Sequence, residues 1–424
     1  MVKVANLKLA FVHPDLGIGG AERLVVDVAV ALKSQGVQVQ FLTNHFDSSH
    51  AFDELKNGQL PVHVIGDWLP RHIFGIFQAV CAYFRMLYLS LVYCFFMRFV
   101  TTDNPDVYFV DQIPMAVPIL KWTGKRVIYY CHHPDLLASP EGGSLRKFYR
   151  YPLNWLEEYG TSKADVILVN SKYTKEIFLK TFTKIAKNDQ TGQNLRILYP
   201  TIASSFLDDI QVAKKRPLHE IAPEIETTKP DDVVFLSINR YHPAKQLELA
   251  IEAMAKLRDK LAPEEYHRVH LIMAGGYDPQ STINATYFRK LVNLTHQHDL
   301  IVKVVFLKSP SDKLKAELLK TADVLIYTPT NEHFGIVPLE AMAAKKAVIA
   351  CNSGGPRETV DSQVTGYLCE PSADKMAECM KRCLKKEAVK KMGEKGCQRL
   401  NQLFSYEVFK KECMQIVTNL YEAK

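Results

Sequence analysis

The sequence predicts an α/β protein in which two Rossmann-like domains in tandem face a central cleft. Its 424 residues exceed the size of an ordinary single domain, so two domains are the natural expectation. Short apolar runs alternate with helical patterns, which is typical of parallel sheets covered by helices. Residues 204–232, rich in lysine, glutamate and proline, divide these runs into two series. We therefore predict one domain on each side of this segment.

The predicted boundaries follow from this division. The N-terminal domain is expected at 1–203, the linker at 204–232 and the C-terminal domain at 233–402. Residues 403–424 are expected to form a helix that packs back on the N-terminal domain. Strands are predicted in the first domain at 8–12, 37–43, 107–110, 127–131 and 166–170. In the second domain they are predicted at 233–239, 269–274, 302–307, 324–327 and 347–350.

Composition narrows the class of protein. Hydrophobic residues make up 47% and charged residues 23%, as in ordinary globular chains. The net charge of +7 suits anionic ligands or an anionic membrane surface and is too weak to indicate a nucleic-acid partner. The nine cysteines form no CxxC pair, which indicates reduced thiols in a cytosolic environment. Residues 1–12 are interpreted as leading into a first strand rather than as a signal peptide.

A glycine-rich loop follows the first predicted strand. Gly19 and Gly20 precede a helical pattern, and glycines there allow the backbone to approach a phosphate at a helix N-terminus. A tight strand-to-helix turn is the simpler alternative. The dinucleotide fingerprint would need a third glycine where Glu22 stands, which disfavours a dehydrogenase.

Two cations open the second domain. Arg240 and Lys245 follow the predicted strand 233–239, at the strand end that faces the cleft in an open α/β sheet. Together they would neutralise a diphosphate, the arginine as a fork and the lysine as a point charge. A solvated basic loop is the alternative.

The most specific motif contains two carboxylates eight residues apart. Glu332 lies in a loop after the strand 324–327, and Glu340 lies in the helix that follows. Gly335 marks a tight turn, so the backbone amides of Phe334, Gly335 and Ile336 are expected to converge on an anion or on sugar hydroxyls. Two solvated glutamates flanking a helix start are the alternative.

A histidine stands at the end of a strand in the first domain. His132 follows the run 127–131 and would hydrogen-bond a sugar hydroxyl or a developing charge, whereas a structural histidine is the alternative. His133 is expected to point the other way, because side chains alternate along an extended chain. Gly354 and Gly355 are interpreted as a close backbone approach or a plain turn.

The most apolar stretch is 73–100. Arg85 interrupts it and leaves twelve apolar residues, fewer than the roughly 20 needed to span a bilayer. Arg71, Gln78 and Arg85 recur every seven residues and are therefore expected on one helix face. We predict a membrane-associating helix lying in the membrane plane. A buried helix of the first domain is the alternative, and the sequence leaves a spanning mode open.

Taken together, these motifs resemble the retaining GT-B glycosyltransferases of family four. The resemblance covers nearly the whole chain and rests on the loop 17–22, on Arg240 with Lys245, and on Glu332 with Glu340. More narrowly, the segments 13–22, 130–137 and 237–241 are similar to those of the dolichol-pathway mannosyltransferases. This resemblance implies GDP-mannose as donor and a dolichol-diphosphate-linked oligosaccharide as acceptor. It also implies that an α-1,3 mannose is added before an α-1,6 mannose, in the assembly of the N-glycan precursor.

The resemblance further implies an acceptor-binding N-terminal domain and a nucleotide-sugar-binding C-terminal domain. The residues expected to bind the donor diphosphate are Arg240, Lys245, Gly19 and Gly20. Those expected to bind the donor sugar are Glu332, His132 and the backbone of Phe334, Gly335 and Ile336. Glu340 is expected to bind the ribose. His132, Arg240, Lys245 and Glu332 are the predicted catalytic residues. No DxD motif stands at a suitable place, so neither a tightly bound metal nor another cofactor is expected.

The resemblance also implies a location at the cytosolic face of the endoplasmic reticulum membrane, with other dolichol-pathway glycosyltransferases as further partners. Two alternatives stay open. One is a retaining GT-B enzyme with a different lipid acceptor. The other is a non-catalytic nucleotide-sugar-binding subunit of a glycosylation complex, which would have no need to keep both glutamates and both cations.

Two formal glycosylation sequons, at Asn284 and Asn293, are expected to be unmodified because GDP-mannose is a cytosolic metabolite and sequons are used only in the lumen. Asn284 is expected to be the more exposed of the two.

Overall fold

The computed structural model describes residues 7–73, 77–97, 104–138, 144–187, 194–221, 229 and 231–422. The chain forms two compact units. The first combines Met1–Thr201 with Glu407–Lys424, and the second is Ile202–Tyr406. Both are built on a parallel sheet, so the predicted pair of Rossmann-like domains is confirmed.

The first unit contains a seven-stranded sheet in the order β3-β2-β1-β4-β5-β6-β7. Its strands are β1 Lys8–His13, β2 Gln38–Thr43, β3 Val62–Val64, β4 Val107–Asp111, β5 Arg126–Cys131, β6 Val166–Val169 and β7 Leu195–Ile197. All neighbours pair in parallel. The direction of progression reverses between β1 and β4, and ligands of open α/β sheets bind at such a point.

Helices connect and flank this sheet. They are Gly20–Lys33, Asp53–Lys56, Gln78–Val92, Ala116–Lys121, Asp135–Ala138, Ser144–Ser162, Lys172–Thr181 and Thr183–Ala186. A 3₁₀ turn forms at Ser48–His50 and a π-helical turn at Tyr93–Met97. The C-terminal helix Tyr406–Glu422 groups almost entirely with this unit, and Phe409, Cys413 and Ile416 are buried on it.

The helix Gln78–Val92 differs from its expected arrangement. Tyr83, Met86 and Leu89, spaced three residues apart, pack into the core of the first unit. Arg85 is buried too. Its guanidinium donates a hydrogen bond to the backbone oxygen of Asn44 at 3.1 Å, so it does not lie on a polar outer face. The apolar stretch Gln78–Phe96 has a mean hydropathy of 1.6 and is long enough to cross a membrane, but 44% of it is buried inside the unit. Only part of this helix therefore remains for a membrane, and residues 74–76 and 98–100 lie outside the described part.

The second unit contains a six-stranded sheet in the order β10-β9-β8-β11-β12-β13, again all parallel. Its strands are β8 Val233–Ile238, β9 Val269–Gly275, β10 Val304–Lys308, β11 Val324–Tyr327, β12 Ala347–Cys351 and β13 Gly366–Cys369. The progression reverses between β8 and β11. Its helices are Ser204–Val212, Leu218–Ile221, Glu248–Arg258, Pro263–His267, Thr282–Gln297, Asp312–Thr321, Ile336–Ala343, Pro356–Thr359, Ala373–Arg382 and Lys386–Leu403, with a 3₁₀ turn at Pro243–Lys245.

The segment predicted as a linker contains structure of its own. The helix Ser204–Val212 packs on the helix Asp312–Thr321 and belongs to the second unit. Phe206 and Ile210, four residues apart, are its buried side chains. Only these two of its four apolar side chains are buried, and nine residues are too short a window to reveal an amphipathic helix in a sequence. Residues 222–228 and 230 lie outside the described part.

The two sequons share the helix Thr282–Gln297, and their exposure is the reverse of the expectation. Asn293 is exposed, whereas Asn284 is half-buried and its side-chain oxygen accepts a hydrogen bond from the backbone of Asp278 at 3.1 Å. The helix places Asn293 on its outer side, while Ser281 caps the turn that contains Asn284.

Candidate active site

The loops after β8 and β11 meet because these strands are neighbours at the reversal point of the second sheet. Lys245 ends the 3₁₀ turn in the loop after β8. Thr328 directly follows β11, and its hydroxyl donates a hydrogen bond to the backbone oxygen of Lys245 at 2.7 Å. This hydrogen bond joins the two loops without involving the side chains of the predicted site.

Lys245 and Glu332 form an ion pair with 2.5 Å between Nζ and Oε2. Their side chains are 18% and 24% exposed, so both are largely but not fully withdrawn from water. Tyr327 also hydrogen-bonds Glu332, and burial together with this carboxylate raises the pKa of Tyr327 well above its usual range. Glu332 is therefore held between a cation and a phenol.

Gly335 shapes the turn after Glu332. Its φ of 80° is left-handed, and a side chain there would meet the ring of Tyr327 at 3.2 Å, so glycine is required. The helix Ile336–Ala343 begins directly after it. Phe334 is buried against the ring of Phe404, with 5.9 Å between the centroids. The start of this helix is thereby fixed relative to Glu332.

Glu340 lies in the second turn of that helix and is only 6% exposed. Its Oε1 accepts from Lys315 Nζ at 2.7 Å. Oε2 is buried and has no hydrogen-bond partner among the residues that the structure describes. A buried carboxylate oxygen without a donor costs free energy, so a hydroxyl group from a ligand would be bound favourably here.

Glycines of neighbouring strands support these loops. Side chains at Gly354 and Gly355, after β12, would collide with the backbone of the Glu332 loop, and the amide of Gly355 donates to the oxygen of Glu332 at 2.7 Å. Gly354 and Gly355 thus make a close backbone approach, with the loop itself as partner. A side chain at Gly275, at the end of β9, would likewise collide with the backbone of Asn239. This close approach fixes the backbone directly before Arg240.

Arg240 is exposed in the loop after β8, and no ion pair of Arg240 occurs within the described ranges. The backbone around it is fixed, since the amide of Tyr241 donates to the oxygen of Gly276 at 3.0 Å. The structure therefore brings together Lys245 and Glu332, and within the described residues Arg240 forms no ion pair with Glu332.

The first unit presents a second group of polar side chains at its own reversal point. His13 ends β1, Asp111 ends β4 and His132 follows β5, and these three strands are adjacent. Nδ1 of His13 hydrogen-bonds Oδ2 of Asp111 at 3.0 Å. Nε2 of His132 lies 2.9 Å from the other oxygen, Oδ1. One carboxylate thus pairs with both histidines.

Burial and pairing strongly affect the charges in this group. Burial acts to lower the pKa of His13, but hydrogen bonds and charge from Asp111 and Glu22 outweigh it and raise this pKa to about 9. Burial likewise acts to raise the pKa of Asp111, and the two histidines outweigh it and lower that pKa to about 2. At neutral pH His13 is therefore a buried cation and Asp111 a buried anion.

The glycine loop begins the helix Gly20–Lys33, with Gly19 as its N-cap. A side chain at Gly19 would collide with the carboxylate of Glu22, which also lies 3.6 Å from Nε2 of His13. Within the described part of the chain, and apart from the adjacent residues and the helix's own backbone, no atom lies within 4 Å of the position that a side chain at Gly20 would take. The amide end of this helix is therefore open at Gly20, where the sequence predicts contact with a phosphate.

Three residues of these groups were not predicted from the sequence: His13, Asp111 and Lys315. His13 and Asp111 stand at strand ends, the same signal that identified His132, but nothing in the sequence shows that β1, β4 and β5 are neighbours. Lys315 belongs to a helix 25 residues before Glu340 and had no motif around it. No group of three or more His, Cys, Asp or Glu side chains suited to a metal occurs in the described part of the chain. That the donor binds without a tightly held metal stays a prediction.

Both units match families of known proteins. Residues 219–399 match the family model of glycosyl transferases group 1, and residues 18–187 match that of glycosyltransferase family 4. The chain is 41% identical to the alpha-1,3/1,6-mannosyltransferase ALG2 of Homo sapiens, over 98% of this chain and 97% of that protein. It is 40% identical to the ALG2 protein of Rhizomucor pusillus, over 95% and 90% of the two chains.

Solved structures share the fold at low sequence identity. A glycosyltransferase from Rickettsia africae superposes with a TM-score of 0.75 at 19% identity, over 99% of this chain and all of that one. The sucrose-phosphate synthase of Thermosynechococcus elongatus gives a TM-score of 0.72 at 19% identity, with the same coverage. These likenesses support the GT-B fold.

Proposed function

We propose, from the premise that the chain belongs to the alpha-1,3/1,6-mannosyltransferase family with a GT-B fold, that it transfers mannose from GDP-mannose to a dolichol-diphosphate-linked oligosaccharide. An α-1,3 mannose would be added first and an α-1,6 mannose second. The observation that carries this proposal is the arrangement at the second sheet's reversal point, where Lys245 pairs with Glu332 and one buried oxygen of Glu340 has no donor among the described residues.

The proposed chemistry uses these charges in turn. As the bond to mannose breaks, negative charge develops on the departing diphosphate, and Lys245 together with the exposed Arg240 would stabilise it. Glu332 would accept hydrogen bonds from hydroxyls of the donor sugar, with the amides at the start of the helix Ile336–Ala343 beside it. The departing phosphate would take the proton of the acceptor hydroxyl on the same face of the sugar, so no side chain is needed as a base.

Glu340 is the proposed ribose ligand. A carboxylate accepts hydrogen bonds from two neighbouring hydroxyls, and among the described residues Lys315 is the one donor, to Oε1. In the first unit, Gly20 would offer its amide to the diphosphate and His132 would contact the sugar.

The first unit also offers a surface for the membrane that holds a dolichol acceptor. Phe84, Phe95, Phe96 and Trp122 are all more than half exposed, and the rings of Phe95 and Trp122 lie 6.4 Å apart. We call these four side chains the aromatic surface. Exposed aromatic groups of this size mark interaction sites and prefer the interface of a bilayer. We place the protein at the cytosolic face of the endoplasmic reticulum membrane, where other dolichol-pathway glycosyltransferases would be its neighbours.

Transfer with purified protein tests the main proposal. The protein is incubated with GDP-mannose, GDP-glucose, UDP-glucose or UDP-N-acetylglucosamine and a lipid-diphosphate-linked acceptor carrying one mannose. We expect mass gains of one and then two hexoses with GDP-mannose only. Linkage-specific mannosidases should identify the first product as α-1,3. Transfer from a UDP-sugar would favour the alternative of another donor, and donor binding without any transfer would favour the non-catalytic subunit.

Co-sedimentation with vesicles of phosphatidylcholine and phosphatidylinositol tests the aromatic surface. The variant F95A/W122A should sediment several-fold less than the wild-type protein, because two exposed rings are lost from the interface. Ile301 and Val302, also more than half exposed but in the second unit, provide the control I301A/V302A, which should sediment like wild type. Equal sedimentation of both variants would contradict this surface.

A further inference from the structure

His13, Asp111 and His132 form a charged group at the reversal point of the first sheet. Three adjacent strand ends supply them, and register pairs Val12 with Val110 one position earlier along the strands. His13 is completely buried and the side chain of Asp111 is 1% exposed, whereas that of His132 is 23% exposed. Only the outer histidine is therefore accessible to a ligand.

Other titratable groups surround this set. Glu22, from the helix Gly20–Lys33, faces His13 from the side opposite to Asp111. On β5, the ring of Tyr130 lies 4.7 Å from that of His132, and burial raises the pKa values of Tyr130 and Cys131 well above their usual ranges. Both are neutral at physiological pH. The charged groups that surround His132 are therefore Glu22, His13 and Asp111.

We propose that Asp111, anchored by His13, is a positioning residue that keeps the proton of His132 on Nε2 and thereby leaves Nδ1 to accept a hydrogen bond from a hydroxyl of the donor sugar. This inference rests on the proposed mannosyltransferase function, which assigns the sugar contact to His132. It adds two residues to the donor site that do not themselves touch the donor.

The hydrogen-bonding capacities of Asp111 and His132 determine this tautomer. An ionised carboxylate only accepts hydrogen bonds, and two acceptor atoms without a proton between them would repel at 2.9 Å, so Nε2 carries a proton, although the angles of this contact fall short of a formed hydrogen bond. In a neutral imidazole the second nitrogen is then an acceptor, and a sugar hydroxyl is a suitable donor to it. The cation at His13 keeps Asp111 ionised in spite of its burial. Without that cation, a buried carboxylate would favour its protonated form and no longer act only as an acceptor.

The tautomer of His132 is directly measurable. Nitrogen-15 NMR of histidine-labelled protein, with H132Q to assign the signal, should show Nε2 protonated and Nδ1 unprotonated in neutral His132 of the wild-type protein. D111N should lose this preference, because an amide can donate as well as accept. A wild-type His132 protonated on Nδ1 would overturn the proposal. This measurement does not depend on activity, but D111N and H132Q must fold for their spectra to be compared with that of the wild-type protein.

Binding measurements separate positioning from a merely structural role. By titration calorimetry, D111N should bind GDP-mannose about tenfold more weakly while its affinity for GDP is unchanged, since only the sugar depends on His132. Its kcat should fall by about tenfold to a hundredfold, by analogy with the loss of groups that orient metal-binding histidines. Loss of GDP and GDP-mannose affinity in equal proportion, or no loss of either, would overturn the proposal.

Asp165 provides a matched control. It is also a largely buried carboxylate of the first unit, paired with Lys121 and Arg126 before β6, at the opposite end of the strands. D165N should lose stability but keep the wild-type ratio of GDP to GDP-mannose affinity. If D165N changed that ratio as much as D111N, the positioning role would be refuted. A wild-type protein that binds no GDP-mannose would refute the proposed function instead, and the tautomer would still decide the role of Asp111.

Discussion

Replacing Lys245 with alanine should damage catalysis far more than folding. The variant K245A removes the cation that lies 2.5 Å from Glu332 and that would neutralise the departing diphosphate. Two effects must be compared: the loss of an ion pair from the folded protein, and the loss of a positive charge from the transition state.

The expected loss of transition-state stabilisation is larger than the expected loss of folding stability. With side chains 18% and 24% exposed, the pair contributes about 1 kcal/mol to stability, between exposed pairs and hydrogen bonds to buried charges. In a unit of roughly 200 residues this lowers Tm by about 2–4 °C. Removing one group that stabilises developing negative charge typically lowers kcat by about 10²–10³, or about 3–4 kcal/mol. K245A should therefore stay folded at the assay temperature and be nearly inactive.

Two measurements on the same preparation of K245A separate its effect on catalysis from its effect on stability. Initial rates with GDP-mannose and the lipid-linked acceptor give kcat, and differential scanning fluorimetry gives Tm. K290A, which breaks the more exposed Lys290–Glu248 pair of the same unit, is the control and should keep wild-type kcat. Activity of K245A within a few-fold of wild type would refute the diphosphate role. If K245A/E332Q were no slower than E332Q, Lys245 would merely hold Glu332.

Three further outcomes are expected. Glu332→Ala should abolish transfer, whereas Glu340→Ala should mainly raise KM for GDP-mannose; equal kcat losses at unchanged KM would contradict this division. The pKa of His13, about 9, exceeds the unfolded value of 6.5, so its stabilisation is complete below pH 6.5 and is lost as pH rises through 9. The wild-type free energy of unfolding should thus fall by on the order of 3 kcal/mol from pH 6.5 to 9 in chemical denaturation, and His13→Gln should lack this fall. Asn284 and the exposed Asn293 should both lack glycans by intact mass of protein from eukaryotic membranes; a glycan on either would place the second unit in the lumen.

The fold was predictable because its signal is local. Each long central strand, such as β4 or β8, is a continuous apolar run that a reader of the sequence can see. The strands β3, β7 and β13 were missed because three or four residues do not stand out as such a run. Arg85 was assigned to a polar face by its seven-residue spacing, but its charge is satisfied inside by the backbone of Asn44. A periodicity cannot show such a partner.

The site was predictable only in part, because its remainder depends on which strands are neighbours. Lys245 and Glu332 could each be identified as a strand-end residue, but their direct pairing depends on β8 lying beside β11. His13 and Asp111 lie 98 positions apart, and only the strand order places them in contact. Residues that contact a ligand leave a motif in the sequence, whereas residues that hold them in place often do not.

The pairing of Lys245 with Glu332 also has a consequence for product release. In the free protein each of these charges neutralises the other, so an incoming diphosphate must compete with Glu332 for the lysine. The sugar hydroxyls of GDP-mannose would donate hydrogen bonds to Glu332 in place of Lys245. GDP has no such sugar and would leave a largely buried carboxylate without its cation. If Lys245 and Glu332 have the proposed roles, donor binding would therefore be favoured over product binding. Glu332→Gln removes this competition and should bind GDP more tightly than the wild-type protein, by about tenfold in titration calorimetry, since one hydrogen bond to a charged group contributes about 1.5 kcal/mol. Unchanged or weaker GDP affinity in this variant would show that Lys245 does not exchange partners when the nucleotide binds.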